Sequence, residues 1–332
     1  MSHPKSPAGY RLGIVNPLTL VGTEIQTILR ERAFPYAKIA LLDATGQAAG
    51  ALTEVDAEPA VVAPVAQEGL DDLDLVFFCG PAAPNQEWIA RHAGDDFIAI
   101  DVSQPSTAED GRLAVAGVNL EAIDSGDDVL ISPHPVAIPI ALILHQIGTL
   151  SPVEICTATV VQPASELEQA GVEELAKQTI SVLNIESVPK TVFDRQVAFN
   201  LFPALEHNEE LVVSQVRALT DARTQIALLI TQGTIFHSHT FSLFIRTREE
   251  LATARITDAL RANPALVFPE GDQQFGTIDA AGKDEVLIAE VRPDPTIRGG
   301  FWVWAVCDNL RRGSALNAVL VAEKVLFGTG VH

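Results

Sequence analysis

ISPHPVAIPIALIL, residues 131–144, sets the end of an apolar strand against the start of an apolar helix, and the fold is read outward from that joint. Ser132-Pro133-His134-Pro135 is a turn with two φ angles fixed by proline. The run from Val136 to Leu144 has so few polar positions that it reads as a buried helix. Pro139 lacks the amide that would donate to the carbonyl of Pro135, so the helix is expected either to begin at Pro139 or to be distorted for a turn. A strand-to-helix joint offers backbone amides and positive potential, which suits an anionic substrate or a low-pKa nucleophile. This turn supplies no nucleophile: it holds a serine, an imidazole and prolines.

Before the joint, Arg11 to Val15 is a short apolar strand, and Val21 to Glu31 has helical spacing with Ile25, Ile28 and Leu29 on one side. Ala37 to Leu42, ending in Asp43, is the next strand. After an irregular Gly/Ala segment come Leu75 to Cys79, Phe97 to Ile100 and Val129 to Ser132. Short β-rich runs alternating with helices predict an α/β domain whose mostly parallel sheet is covered on both faces. Beyond Leu150 the texture changes. Val153 to Val161 alternates, Glu173 to Leu183 is an amphipathic helix, Thr224 to Thr247 reads as nearly continuous strand, and Val286 to Val291 and Phe301 to Val306 are further strands. Long strands grouped together predict an α+β domain, an antiparallel sheet with helices on one face. The last helix, Ala315 to Leu326, follows Gly313-Ser314, with Ser314 as its N-cap.

The 332 residues are 47% hydrophobic, enough for a large core and for two domains. A net charge of −21, with 22 Lys and Arg against 43 Asp and Glu, repels nucleic acid and anionic membranes, and neither is expected as a partner. Cys79, Cys156 and Cys307 are odd in number and lack CxxC spacing, which points to reduced thiols in a cytoplasm. The N-terminal MSHPKSPAGY carries no apolar leader, and no apolar run reaches the ~18 residues that a membrane span needs.

VFDRQVAFNLFP (Val192 to Pro203), AAGKDEVLIAEVRPDP (Ala280 to Pro295), DNLRRGSALNAVLVAE (Asp308 to Glu323) and QPASELEQAGVEELAKQT (Gln162 to Thr179) together resemble the aspartate-semialdehyde dehydrogenase family. The likeness runs over nearly the whole chain. It implies a doubly wound Rossmann-type dinucleotide-binding domain over residues 1–132, completed by the C-terminal helix 313–332, and a substrate and dimerisation domain over residues 133–312. It also implies a homodimer. In family members the central turn reads Asn-Pro-Asn-Cys, and the cysteine thiolate attacks the aldehyde to give a thiohemiacetal and then an acyl thioester. By this resemblance the cysteine falls at Pro135, which has no nucleophile, and neither Ser132 nor His134 stands at the attacking position. The substrate-carboxylate arginine falls at Gln232, the phosphate-holding arginine near Thr107, and the lysine of the EELVV segment near Val212. Gln162 and His239 are the catalytic positions retained.

The cofactor loop departs as well. Family members carry a Gly-rich loop whose glycines let a pyrophosphate approach backbone amides. Here it is NPLTLVG, with Asn16 and Thr19 where the first glycines belong and Gly22 serving helix packing. Thr19 can still cap the helix, Asp43 can accept a ribose 2′-hydroxyl, and ATGQAAG lacks the 2′-phosphate arginine. The resemblance adds Asn309 to the same cofactor-binding set. No cofactor is required on this reading. Binding of NAD or NADP is weakened rather than excluded, and if a dinucleotide binds, NAD is favoured over NADP.

Losing a covalent nucleophile commonly costs roughly 10⁶ in turnover. Each missing charge-assisted anchor costs on the order of 1.5–3 kcal/mol more. The sequence is therefore expected to be a catalytically degenerate member resembling the Usg-type branch of the family, a binding or interaction protein for a small ligand or protein partner. The alternative is an NAD(P)-dependent oxidoreductase acting on an aldehyde without a cysteine adduct, with His134 or His239 as base. His237-Ser238-His239 puts two imidazoles on one face of a strand, yet no carboxylate is near in sequence and no metal is expected. Cys79, ending VFFC, reads as a buried structural thiol.

Overall fold

The computed structural model describes residues 9–70, 72–92, 97–103, 106–123, 126–270 and 273–328. The chain divides into two units, Met1–His134 with Ser314–His332, and Pro135–Gly313. The breaks fall two residues and one residue beyond those expected from the sequence.

The first unit is built on β1 (Tyr10–Val15), β2 (Tyr36–Asp43), the β3–β4 hairpin (Leu52–Val55, Glu58–Val61), β5 (Ala63–Pro64), β6 (Leu75–Phe78), β7 (Ile98–Asp101), β8 (Arg112–Leu113) and β9 (Val129–Ile131). The sheet order is β5-β2-β1-β6-β7-β9-β8 with every pairing parallel. Leu12, Ile14 and Val15 of β1 and all four residues of β6 are fully buried, as central strands covered on both faces require. Helix α1 (Leu20–Glu31) buries Val21, Ile25, Ile28 and Leu29, the stripe legible in its spacing, and Thr19 caps it by accepting from the Gly22 amide at 3.1 Å. Helices α2 (Val65–Glu68) and α3 (Ala82–Arg91) follow β5 and β6. The sequence reading passed over the hairpin. Its turn residues, Asp56 and Ala57, both have positive φ, the geometry of a type I′ turn without the glycine that usually announces it.

The second unit opens with α4 (Ala137–Gly148), whose residues Ala137 to Leu144 are all buried. Its start differs from expectation. With Val136 as N-cap, Pro139 is the third helical residue, and the amide it lacks is one of the four that have no intrahelical partner at any helix start. The proline is accommodated inside the first turn. There follow β10 (Val153–Gln162), α5 (Glu168–Leu183), β11 (Phe202–Pro203), α6 (Glu209–Leu219), β12 (Gln225–Gln232), β13 (His239–Thr247), α7 (Thr253–Arg261), β14 (Leu266–Val267), α8 (Thr277–Ala280), β15 (Val286–Pro293) and β16 (Gly300–Cys307).

The order is β11-β12-β10-β13-β16-β15-β14. This sheet is mixed, not antiparallel: β10 with β12 and β14 with β15 run parallel. The long connection from β10 through α5 and α6 supplies the crossover that parallel neighbours need. Two other expectations are corrected. The helix begins at Glu168, five residues before Glu173, because its first turn is polar and lacks the apolar period. Thr224 to Thr247 is two strands, broken where a Cβ on Gly233 would lie 2.4 Å from Val161 Cγ1 and where Ser238 takes a φ of 75°. One face of the sheet, through Cys156, Ala158, Val160, Phe241 and Leu243, is core, while α4 packs on α6 and α7. The opposite face carries Thr157, Thr159, Ala227, Leu229 and Ser242, and Leu229 is 50% exposed.

The chain then returns to the first unit as α9 (Leu316–Phe327). Ser314 is not its N-cap. A π-turn over Arg311–Ala315 winds directly into α9, so Ser314 lies inside the helical run, where there is no helix end to cap. Asn317 donates to Ala114 O (2.8 Å) and Ser132 Oγ (2.9 Å) and accepts from the Ala116 amide (2.9 Å), and Arg32 pairs with Glu323 at 2.7 Å.

Candidate functional site

Strand register brings the retained residues together. Gln162 pairs with Gln232 on β12, Val161 with Thr240 on β13, and His239 with Cys307 on β16, so four strands deliver Gln232, Gln162, His239 and the Cys307–Asn309 segment to one end of the second sheet. Gln232 is buried. Its amide donates to Gln162 O (3.2 Å) and Gly233 O (3.1 Å), and its carbonyl accepts from Gln162 Nε2 (3.1 Å). Both N–H groups are thus spent on backbone. Neither N–H of Gln232 is left free to grip an anion with two prongs.

Beside this pair, fully buried His239 has Nε2 3.7 Å from Glu166 Oε1, an ion-pair separation rather than a hydrogen bond. The same carboxylate oxygen accepts from Asn309 Nδ2 at 2.8 Å. Asn309 is itself fixed: its Oδ1 accepts from the Ser238 amide (3.1 Å), and its Nδ2 also donates to Ser165 Oγ (3.0 Å). The residue expected in the cofactor set is committed to the frame around Glu166. Burial pushes the Glu166 carboxyl up to about 7, with Glu168 and Glu206 raising it further against the lowering bond from Asn309. Sequence reasoning missed Glu166. It searched for a carboxylate near His239 in sequence, whereas the fold supplies one from the turn after β10, four residues past Gln162 on the strand that borders His239. The signal was an acid in the short turn leaving a strand that already bore a site residue.

His237 precedes β13 and is partly exposed, and the positive φ of Ser238 breaks the alternation that would align it with His239. The paired-imidazole reading therefore fails. Among the described residues, no group of three or more His, Cys, Asp or Glu is placed to hold a metal ion.

Pro135 lies one residue before the N-cap of α4, buried against Gly313, whose added Cβ would meet Pro135 Cβ at 3.1 Å. Ser132, in the first unit, accepts from Asn317, and burial holds His134 down to about 4, keeping its imidazole neutral. Cys79, Cys156 and Cys307 are buried and outside any disulfide. Burial pushes the Cys156 thiol up to about 12 and raises Cys307 as well, with Asp308 adding to the latter. Neither of these is a ready thiolate. Val212 is fully buried in α6, where a lysine would have to be desolvated.

At the strand ends of the first unit, Asn16 has a φ of 56°, and its Nδ2 donates to Cys79 O (2.7 Å) and Asn85 Oδ1 (3.3 Å) while its Oδ1 accepts from the Ala44 amide (3.1 Å). A Cβ on Gly22 would stand 2.7 Å from Asn16 O, which is the packing reason for that glycine. Asp43 Oδ1 accepts from the Thr45 amide and hydroxyl, and Oδ2 from the amides of Ala48 and Ala49. Burial raises its pKa, but these bonds outweigh it and hold the carboxyl below its usual value. Four donors fill the acceptor positions that a ribose hydroxyl would use. Thr107, expected from the sequence at the phosphate-anchor position, turns its amide and hydroxyl onto Asp110 (2.7 and 3.0 Å).

A parallel, doubly wound α/β unit completed by the C-terminal helix, joined to a mixed-sheet unit with glutamine and histidine at one sheet end, defines the class. The model of the semialdehyde dehydrogenase dimerisation domain matches residues 144–312, and the chain belongs to the aspartate-semialdehyde dehydrogenase family. The aspartate-semialdehyde dehydrogenase of Aquifex aeolicus is 24% identical over 95% of this chain and 97% of its own. A USG-1 protein homolog of Azotobacter vinelandii is 29% identical, covering 97% and 98%. The crystal structure of aspartate semialdehyde dehydrogenase II from Vibrio cholerae, solved with ASA, superposes with a TM-score of 0.90 at 24% identity, over 96% of this chain and 98% of that one.

Proposed function

We propose that this chain is a family member that does not carry out the phosphorylating oxidation of aspartate semialdehyde and works instead as a homodimeric protein that binds a small ligand or a protein partner. The observation that carries the reading is that residue 135, which the family resemblance sets at the attacking cysteine, is a proline and has no nucleophile. The committed amide of Gln232 and the acid beside Thr107 support it, because each removes an anion anchor from the same reaction. The first unit fits a dinucleotide poorly: the Asp43 carboxylate is filled by its own loop, and the Asn16 side chain occupies the strand-end turn. No cofactor is required for this function, and NAD and NADP bind weakly. The dimer forms through the open face of the second sheet around Leu229 and Thr159. The buried thiols support a reducing, cytoplasmic setting.

A second reading, an NAD(P)-dependent oxidoreductase acting on an aldehyde without a cysteine adduct, is favoured by one observation, the acid placed beside His239. Calorimetric titration separates the two. The expected result is no saturable heat with millimolar NAD or NADP, and tight, saturable binding of either overturns the first reading in favour of the second.

A further inference from the structure

The end of the second sheet holds an acid and an imidazole that the family resemblance does not pair. Glu166 comes from the turn after β10 and His239 from the start of β13, and Nε2 and Oε1 stand 3.7 Å apart with the imidazole wholly buried. The carboxyl is not there by default. Asn309, arriving after β16, bonds to Glu166, to Ser165 in the same turn and to the amide of Ser238, the neighbour of His239. One side chain thereby fixes the carboxyl-bearing turn and the imidazole-bearing strand to each other.

Glu168 and Glu206 bear on Glu166, Cys307 is the buried thiol opposite His239 on β16, buried Arg312 bears on that thiol, and the Phe241 ring lies 5.8 Å from the imidazole. A carboxylate beside a neutral imidazole has no counter-charge within the pair. One proton placed between them gives either an acid with a neutral imidazole or a carboxylate with an imidazolium, and both are internally balanced. The cluster also has hydrogen-bonding capacity in reserve: Ser238 Oγ, fully buried, has no partner among the described residues.

We propose that Glu166 is the positioning residue of His239, and that the two side chains hold one titrating proton between them, so that the imidazole stays a proton donor and acceptor for a polar group of the ligand. The inference does not depend on whether the chain turns a substrate over. It gives the retained histidine a task in a site that has lost its nucleophile. Burial pushing the Glu166 carboxyl up to about 7 agrees with the geometry, since it brings the acid into the range where an imidazole titrates.

The test is NMR of the full-length protein carrying ¹³C at histidine Cε1 and glutamate Cδ, titrated with pH. His239 is assigned by the signal lost in H239Q, and Glu166 by the signal lost in E166Q. In the wild type, both resonances are expected to move at the same midpoints. In E166Q the His239 midpoint should fall by about one pH unit or more, the usual effect of removing an adjacent carboxylate, and E166D should recover part of that fall. A His239 midpoint unchanged in E166Q overturns the proposal, because a merely structural role for Glu166 would alter stability and leave the imidazole's titration alone. Should E166Q fail to fold, E166D assigns the Glu166 signal by its loss and the wild type decides: independent midpoints for the two side chains overturn the proposal, and shared ones sustain it.

Discussion

On the proposed correspondence with the family, replacing Pro135 by cysteine returns the nucleophile to its position, one residue before the N-cap of α4, where the helix terminus favours a thiolate. If the missing thiol were the whole defect, the variant would recover most of the roughly 10⁶-fold that a covalent nucleophile commonly contributes. The structure argues that it is not. Gln232 has both N–H groups engaged at 3.2 and 3.1 Å with backbone carbonyls, and Thr107 is turned onto Asp110 at 2.7 and 3.0 Å. Two absent charge-assisted anchors amount to about 3–6 kcal/mol, roughly 10²–10⁴ in binding of substrate and phosphate. P135C alone is expected to show no phosphate-dependent NADP reduction with aspartate semialdehyde, followed by nicotinamide absorbance. The triple variant P135C/Q232R/T107R is expected to remain several powers of ten below a family enzyme measured alongside. An arginine at buried Gln232 breaks the bonds to Gln162, and the Asn16 turn is untouched. Substantial turnover from P135C alone would refute the reasoning and mean that substrate and cofactor are seated by groups other than these.

Leu229→Glu places a charge in the middle of the open sheet face, and sedimentation velocity at micromolar concentration should show the wild type as a dimer and the variant as a single chain; a dimeric L229E moves the interface elsewhere. His134 supplies a pH test. Its folded-state value of about 4 lies below the 6.5 of a free imidazole, so the unfolded chain binds more protons between those values, and stability falls as pH drops from 6.5 towards 4. At about 1.4 kcal/mol per pH unit, the loss is on the order of 3 kcal/mol. Urea unfolding of H134Q should show a flatter acid limb than the wild type, and parallel limbs would assign the acid sensitivity to other groups.

What the sequence disclosed, and what it withheld, follows from how far each signal travels along the chain. The α1 stripe of Ile25, Ile28 and Leu29, the VFF core of β6 and the buried α4 helix were all legible, because each is a local period or a continuous apolar run. The two-unit fold followed from their order. Pro139 was misjudged because tolerance of proline depends on where the N-cap falls, and Val136, an apolar residue with no capping side chain, gives no sign of being one. The parallel pairing of β10 with β12 could not be read from strands that alternate as antiparallel ones do. In the site, Gln162, Gln232 and His239 were named one at a time, but their alignment is a property of register. Glu166 was invisible for the same reason: 73 positions of chain separate it from His239.

The place of α9 bears on how the protein is made. Residues 316–327 are the last helix to leave the ribosome, yet they belong to the unit that begins at the N-terminus. Asn317 satisfies Ala114, Ala116 and Ser132, and the Tyr10 hydroxyl donates to Leu326 O at 2.8 Å, across 316 positions of chain. Until translation is nearly complete, β1 through β9 wait with one flank of their core uncovered, while the intervening segment 135–313 has every residue it needs to fold. The second unit is thus free to mature first, and the first unit is the one exposed to proteases and chaperones in the nascent chain. A transcript cut short just after the Gly313 codon would spare the second unit and leave the first without its closing helix.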